Sequence, residues 1–104
     1  MKVPNAAPLF AALGDENRLR LVSRLCISGP MSISRLAASS NLTRQGITKH
    51  LHVMERAGLV SSRRHGRERL WQVGQHRVQA AQRYLEQISL QWDSALGRLK
   101  AFVE

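Results

Sequence analysis

Two short helical segments on either side of a tight turn constrain the fold of this chain more than any other feature. The longer segment is predicted to begin after Thr43, whose hydroxyl can cap a helix, and to end before Gly58, the residue type favoured just beyond a helix. Within it, Ile47, Leu51 and Met54 recur at helical spacing. The segment is therefore expected to be a helix with one apolar stripe turned towards a core.

A shorter helix is predicted immediately before it. Ser34 is placed as its N-cap, and Leu36 and Ala37 lie within it. The Ser-Ser-Asn sequence of residues 39–41 is typical of a tight turn, in which Asn41 is expected to take the left-handed conformation. The small side chain of Ala37 would let the two helices approach closely. Two short helices joined in this way form a helix-turn-helix.

Two further helices are predicted in front of this motif. The first covers residues 8–13, and Asp15 is expected to cap the second, which ends at residues 28–30. The second helix should have a solvated basic face and an apolar face. The solvated face comprises Arg18, Arg20 and Arg24, and the apolar face comprises Leu21, Val22, Leu25 and Cys26. Cys26 is accordingly expected to be an inert core residue.

A hairpin is predicted behind the motif, because the periodicity of the sequence changes there from helical to alternating. Val60, Trp71 and Val73 are apolar on either side of a polar run. The turn is expected at residues 65–68, where Gly66 can take a positive φ. The hairpin would project beside the second helix of the motif.

Residues 75–103 contain no proline and one internal glycine, and they predict a single long helix. Its apolar residues alternate spacings of three and four, which lays a seam along one face. Together with the first helix, this seam is predicted to pair with a second copy of the chain. The predicted dimerisation residues are Leu9, Phe10, Leu13, Val78, Ala81, Leu85, Ile88, Trp92, Ala95, Leu99 and Phe102. The alternative is that the helix folds back on its own domain, since Leu96 and Val103 widen the stripe.

These elements predict one domain over residues 1–104, mainly α-helical with a small β-hairpin, which is a winged helix-turn-helix with dimerisation helices at both ends. A length of 104 residues and a 43% hydrophobic content fit one globular domain. The single cysteine allows no intramolecular disulfide, and residues 1–14 have too short an apolar run for a signal peptide or membrane span. A cytoplasmic protein without membrane contact is expected.

The charge balance indicates an acidic partner. The chain has 16 lysines and arginines against 7 aspartates and glutamates, which gives a formal net charge of +9. Such an excess can serve solubility alone, but a strongly basic domain that contains a helix-turn-helix is typical of a protein that binds duplex DNA.

Candidate DNA contacts lie on the second helix of the motif and on the hairpin. Arginine and lysine suit guanine or phosphate, and glutamine suits adenine in the major groove. The predicted contacts on the helix are Thr43, Arg44, Gln45, Gly46, Thr48, Lys49 and His52, and those on the hairpin are Arg63, Arg64, Arg67 and Arg69. Gly46 either allows close approach to DNA or is a tolerated helix defect that costs about 1 kcal/mol. Arg64 or Arg69 could instead pair with Glu68 or brace the hairpin.

Three stretches of this sequence resemble the ArsR/SmtB family of bacterial repressors, and the resemblance as a whole extends over nearly the whole chain. They are LGDENRLRLVSRL, ISRLAASSNLTRQGITKHLHVMERAGLV and SSRRHGRERLWQV. The resemblance implies a transcriptional regulator in which the first and last helices form a homodimer interface. It also implies that two recognition helices read a palindromic operator in double-stranded DNA.

Founding members of that family sense metals, and here the sequence departs from them. Their metal-binding cysteine pair lies where this chain has Ser32-Ile33-Ser34, and hydroxyls are poor ligands for soft ions. The last helix, where other members place a metal site, offers only Glu86 and Asp93 after His76. The sequence therefore predicts no metal site and no cofactor, resembles the non-metal branch of the family, and leaves an inducing ligand unidentified.

Two other classes of function are considered against this interpretation. An enzyme would need reactive groups, and the chain has no phosphate-binding glycine loop, cysteine–histidine nucleophile pair or paired carboxylates in a plausible pocket. A winged helix that binds nucleic acid or another protein without operator specificity remains open. A binding assay that compares duplex DNA, RNA and a protein partner separates these alternatives.

Overall fold

The bounds of the secondary structure follow from the caps and turns in the sequence. A computed structural model of the chain describes residues 7–103. Its elements are α1 (Ala7–Leu13), α2 (Glu16–Ser28), α3 (Ile33–Ala38), α4 (Arg44–Ala57), β1 (Val60–His65), β2 (Glu68–Val73) and α5 (Gln75–Val103). The predicted fold class is confirmed, since helices dominate and the two strands form one antiparallel hairpin. The ends of the predicted domain, residues 1–6 and 104, lie outside the described residues.

Three predicted helix ends are confirmed. The Asp15 carboxylate accepts a hydrogen bond from the backbone N–H of Arg18 at 3.0 Å before α2. This bond lowers the pKa of Asp15 from its ordinary value, because it stabilises the charged carboxylate. Thr43 Oγ1 accepts from the N–H of Gly46 at 3.0 Å before α4, and Gly58 follows α4 with a left-handed φ of 82°. Both ends of α4 are therefore fixed by residues that adjoin it in the sequence.

The prediction that Ser34 caps α3 is wrong. Ser32 directly precedes the first helical residue with an extended backbone, and its Oγ accepts from the N–H of Arg35 at 3.3 Å. Ser34 lies inside the first turn, where its Oγ accepts from the guanidinium of Arg44. Both serines fit the local pattern of a cap, but Ser32 is also buried, so its side chain is held at the helix start by the surrounding structure.

The turn between α3 and α4 also closes differently from the prediction. Asn41 is not left-handed, since within residues 7–103 a positive φ occurs only at glycines. Ser40 closes the turn instead: its N–H donates to Ala37 O at 3.2 Å, and its Oγ accepts from the N–H of Leu42 at 3.0 Å. A side-chain hydrogen bond of this kind can reverse the chain without a positive φ.

The apolar stripe of α4 lies at the centre of the core. Ile47, Leu51 and Met54 are each 0% exposed, as their helical spacing predicts. Leu9 of α1 and Leu36 of α3 pack in the same cluster. Because the burial of apolar surface is the dominant favourable term in folding, this cluster fixes the orientation of α4 in the domain.

The apolar face of α2 is narrower than predicted. Leu21 and Leu25 are buried, but Cys26 is exposed, so the prediction that it is a core residue is wrong. One residue along a helix is a rotation of about 100°, which turns Cys26 away from the face that carries Leu25. Arg18 and Arg24, predicted to be solvated, are half-buried.

Arg18 joins three helices. Its Nε donates to the backbone oxygen of Ala12, near the end of α1, at 2.6 Å. Its Nη1 lies 3.4 Å from Nδ1 of His50 on α4. A cation beside the C-terminal carbonyls of a helix is also favoured by the helix dipole. Arg18 therefore helps to hold α1 and α2 against α4.

The predicted hairpin and its turn are confirmed. His65 pairs with Glu68, so the loop between the strands consists of Gly66 and Arg67. Gly66 has a φ of 64°, and a positive φ at this position of a two-residue loop matches the twist of the flanking strands. The turn places Arg67 at the tip of the hairpin, which is called the wing below.

The base of the wing is joined to the helix-turn-helix. Met31, two residues before α3, exchanges backbone hydrogen bonds with Trp71 of β2 at 3.0 and 2.8 Å. Both side chains are buried. The wing is consequently held in a fixed position beside α3.

The last helix packs on the domain over its first third. Ala81 lies in the core, the half-buried Val78 packs against it, and the ring centroids of Phe10 and Tyr84 lie 6.1 Å apart. The described chain measures 62 × 26 × 20 Å and has a radius of gyration of 17.4 Å, against about 13 Å for a compact domain of this length. The alternative that α5 folds back on its own domain therefore does not hold for its C-terminal part.

The predicted dimerisation residues divide into two groups. Leu9 and Ala81 are buried within the protomer, so they belong to its core. The others lie at the surface, with Phe10, Leu13, Val78 and Ile88 half-buried and Leu85, Trp92, Ala95, Leu99 and Phe102 exposed. Despite this seam, no helix among the described residues combines the length and the apolarity needed to cross a membrane.

Candidate nucleic-acid interface

The surface of α4 opposite its buried stripe carries polar side chains at its start. Ile47 and Leu51 hold one face of the helix in the core. Of the predicted contacts, Thr43, Arg44, Gln45, Lys49 and His52 are exposed, and Gly46 and Thr48 are half-buried. The structure thus brings the predicted contacts of this helix together on one outward surface.

Two hydroxyls and a glycine organise the first turn of α4. Thr48 Oγ1 donates to the backbone oxygen of Arg44 at 2.8 Å. A Cβ atom at Gly46 would lie 3.2 Å from Oγ1 of Thr43, which is closer than ordinary contact. Gly46 therefore leaves room for the capping hydroxyl, a role distinct from both sequence-based interpretations of this residue.

Arg44 links the two helices of the motif. Its guanidinium donates to Ser34 Oγ in the first turn of α3. This hydrogen bond draws the side chain along the surface towards the wing. The cationic group is therefore held where the helix-turn-helix and the wing face one another.

A basic cleft of about 350 Å³ lies between the helix-turn-helix and the wing. Arg44, Arg67 and Arg69 line it, together with the acidic Glu68. The two regions predicted separately from the sequence consequently meet at one positively charged surface. Such a surface attracts phosphate groups, because each phosphate that is neutralised releases condensed counterions.

The four predicted wing arginines are exposed, and none forms an ion pair within residues 7–103. Arg69 Nη1 donates to Ser62 Oγ on the facing strand at 2.9 Å. The alternative that Arg69 braces the hairpin is confirmed, whereas pairing with Glu68 is not found in the described part of the chain. The positive charge of the wing is therefore available to a partner.

His52 lies on α4, on the side of the helix that faces the base of the wing. Its ring meets the ring of Trp71 edge-on, with centroids 5.8 Å apart and an interplanar angle of 84°. Its Nδ1 is 3.4 Å from Oε1 of Glu55. These contacts place His52 against the wing, and the rest of its side chain remains open to solvent.

Arg77 positions the far end of α4, and no sequence-based expectation included it. Its Nη1 donates at 3.2 Å to the backbone oxygen of Ala57, one of the carbonyls that lack a partner within the helix. A cation at this end is favoured by the helix dipole. The local signal is only a basic residue in the first turn of α5, because 20 residues separate the two partners.

Ser32 and Ser34 have structural roles, although the resemblance noted in the sequence aligns them with a metal-binding cysteine pair. Ser32 caps α3, and Ser34 accepts a hydrogen bond from Arg44. Over residues 7–103, no three histidine, cysteine, aspartate or glutamate side chains are grouped so that they could hold one metal ion.

Known proteins similar to this chain are named as transcriptional regulators. A family model described as a helix-turn-helix domain matches residues 13–63. The HTH-type transcriptional regulator YuzN of Bacillus subtilis is 36% identical over 72 residues, which cover 64% of this chain and 78% of YuzN. The solved ArsR-like transcriptional regulator from Rhodococcus sp. RHA1 is 35% identical with a TM-score of 0.78, and the match covers 96% of this chain and 93% of that one.

A more distant solved structure shares the fold. It is the homodimeric winged helix-turn-helix DNA-binding domain of Mb0332 from Mycobacterium bovis, which is 19% identical with a TM-score of 0.66. The match covers 86% of this chain and 79% of that one.

We predict that the substitutions Gly46→Ala and Thr43→Ala are coupled. In a chain that already carries Thr43→Ala, Gly46→Ala should stabilise the domain by about 1 kcal/mol, since alanine is the better helix former. With Thr43 present the gain should be much smaller, because the new Cβ would crowd the capping oxygen. Urea unfolding of the four proteins measures the difference. Equal gains in both backgrounds would show that Gly46 is not needed by the cap.

Proposed function

This chain belongs to the ArsR family of helix-turn-helix transcriptional regulators, and we propose that it is a repressor that binds a palindromic operator as a homodimer. One observation carries this proposal: the polar start of α4 adjoins a wing whose arginines have no carboxylate partner in the described chain. Arginines whose charge is not balanced by a carboxylate favour a polyanion, whose counterions they release. By occupying promoter DNA in the cytoplasm, such a protein would exclude the transcription machinery.

The start of α4 is proposed to lie in the major groove of the operator. Gln45 suits adenine, and Arg44 and Lys49 suit guanine or a phosphate. The wing arginines are proposed to contact phosphates beside the groove, which adds affinity without reading bases. The hydrogen bonds that fix both ends of α4 would hold its side chains at a constant angle to the DNA.

Replacing a base-reading residue and replacing a phosphate-binding residue should have different effects. Gln45→Ala should weaken binding to the operator by about 1–3 kcal/mol through the loss of one base contact. Arg67→Ala should weaken binding to operator and unrelated duplexes alike and reduce the salt slope by about 1. Arg98→Ala removes an exposed arginine of α5, away from this surface. It should change neither the affinity for duplex DNA nor the salt slope. Fluorescence anisotropy over a salt series measures all three.

A fourfold variant gives the strictest test of this surface. It carries Arg44→Ala, Gln45→Ala, Thr48→Ala and Lys49→Ala, and circular dichroism checks that its fold is kept. Operator binding as tight as that of the unmodified protein would show that the start of α4 does not contact DNA.

A second copy of the chain is the partner proposed for α5, and α1 is proposed to join it in the interface. Leu85, Trp92 and Phe102 lie along one side of α5 and are 51%, 62% and 88% exposed. An apolar stripe of this length on a soluble protein typically marks an interface. The structural neighbour Mb0332 is homodimeric. Pairing along α5 would present two α4 helices to operator half-sites about 34 Å apart.

Charged substitutions in this seam should dissociate the dimer. Leu85→Glu combined with Ile88→Glu should give a monomer with greatly reduced operator affinity, because each α4 would then bind alone. Leu90→Glu changes a similarly exposed leucine on the opposite side of α5 and should leave the dimer intact. Sedimentation velocity measures the assembly state. An unmodified protein that is monomeric at micromolar concentration, yet binds its operator tightly, would contradict the homodimer.

The signal that releases this repressor from DNA is proposed to be something other than a metal ion. Ser32 and Ser34 use their hydroxyl oxygens for the α3 cap and for Arg44. A hydroxyl is a poor ligand for the soft ions that thiolate sites select. An inducing ligand of different chemistry is therefore expected.

A further inference from the structure

A cavity of about 240 Å³ lies between α2 and the turn that joins α3 to α4. Its apolar lining consists of Leu21, Leu36 and Leu42. Leu21 of α2 and Leu36 of α3 are core residues, 4% and 1% exposed. The cavity therefore reaches inwards to the core between α2 and α3. Its volume is slightly below the usual range for ligand sites, about 300–1,000 Å³, and therefore suits a small molecule.

The lining of the cavity is also cationic. Arg20 and Arg24, one turn apart on α2, both line it, and no carboxylate does. Arg20 already has an anionic partner, because its Nη2 lies 2.5 Å from Oε1 of Glu16 at the exposed surface. Arg24 is half-buried and takes part in no ion pair within residues 7–103. The cavity therefore contains a positive charge that its surroundings leave unbalanced.

The Nε atom of Arg24 is buried and has no hydrogen-bond partner among the described residues. A buried donor without an acceptor is unfavourable, because it has lost its hydrogen bonds to water and gained none in return. The planar guanidinium presents paired N–H groups that match the two oxygens of a carboxylate or phosphate. An oxyanion in the cavity would balance the charge of Arg24, which lines it.

A hydroxyl in the turn adds a second donor. Ser40 lines the same cavity, and its Oγ accepts from the N–H of Leu42 at 3.0 Å. A hydroxyl that accepts one hydrogen bond still has its own proton to donate. Asn17 and Asn41, also in the lining, contribute amide groups. The polar groups therefore favour an anion, while the leucines favour hydrocarbon.

We propose that this cavity binds a small amphipathic organic acid, whose carboxylate or phosphate pairs with Arg24 and whose apolar part contacts the three leucines. A phosphate of the DNA backbone has the same anionic chemistry. A free small molecule is favoured because the apolar lining reaches core residues, which a rigid duplex cannot approach.

Occupation of the cavity would act on the DNA-binding helix through one short segment. Residues 40–42 of the turn line the cavity, and the next residue, Thr43, caps α4. A ligand that forms a hydrogen bond with Ser40 and displaces it would therefore change the position or order of the first turn of α4. This regulatory consequence rests on the function proposed above for α4, whereas binding of the acid itself does not.

Titration with benzoate tests the binding proposal, because benzoate combines one carboxylate with a small apolar ring. At constant ionic strength, benzoate should bind saturably and shift amide NMR signals of residues 20–24 and 39–42. Acetate, which lacks the ring, and benzyl alcohol, which lacks the charge, should each bind at least about tenfold more weakly. Absence of saturable benzoate binding, or shifts confined to other regions, would overturn the proposal.

Two variants assign the contacts. Arg24→Gln should weaken benzoate binding roughly 10- to 100-fold, the usual worth of a charge-assisted hydrogen bond. Arg98→Gln is matched in chemistry, lies exposed on α5 and should leave binding unchanged. Ser40→Ala should weaken binding by a smaller factor, and it provides the test if Arg24→Gln does not fold. Unchanged affinity in both Arg24→Gln and Ser40→Ala would overturn the proposal.

Duplex binding by the same variants separates the small molecule from a DNA phosphate. Arg24→Gln should bind duplex DNA as well as the unmodified protein does and should abolish any effect of benzoate on that binding. Weaker duplex binding by Arg24→Gln in the absence of benzoate would assign the cavity to DNA and overturn the proposal. If the unmodified protein bound no duplex at all, the proposed repressor function would be wrong. The benzoate titration would still show whether the cavity binds an organic acid.

Discussion

The burial of Ile47, Leu51 and Met54 along one side of α4 is the interaction on which the rest of the structure depends. These side chains are inaccessible to solvent and pack with residues of α1 and α3. A helix held by one face must present the opposite face outwards. The Thr43 cap at its start and the Arg77 hydrogen bond at its end then prevent the exposed residues from rotating or fraying. The same apolar stripe that stabilises the domain thus determines which side chains can reach a partner.

The wing and α5 depend on this core in different ways. The buried base of the wing is attached to the core through the backbone pairing of Met31 with Trp71. This attachment fixes the position of a short hairpin whose outer part bears exposed charges. Within residues 7–103, the long helix is attached to the domain by its first turns, near Ala81 and Tyr84, and then extends away from it. A domain of 104 residues has a small core and cannot cover a helix about 43 Å long. The apolar seam that remains is the surface that we propose pairs with a second copy of the chain.

Local rules predicted several helix ends correctly. Thr43, Asp15 and Gly58 each lie at the helix end where the sequence predicted them. The rules failed at α3, because both Ser32 and Ser34 fit the pattern of a cap, and the choice between them depends on packing.

The positions of the candidate DNA contacts were predictable in the same way, since helical and strand periodicity determines which residues face outwards. The contacts that hold these residues in place could not be predicted from local sequence patterns. Arg18 reaches His50, 32 residues further along the chain, and Arg77 reaches back to Ala57. The charge of Arg24 was visible in the sequence, but its placement in a cavity follows from how α2 meets the turn before α4.

Hydroxyl-radical footprinting, on a duplex that the protein selects from a random pool, tests most directly whether two α4 helices read one DNA site. Two protected segments on the same face of the duplex, about 10 base pairs apart, are predicted. A single protected segment, or uniform protection without any preferred sequence, would contradict a dimeric operator-binding repressor.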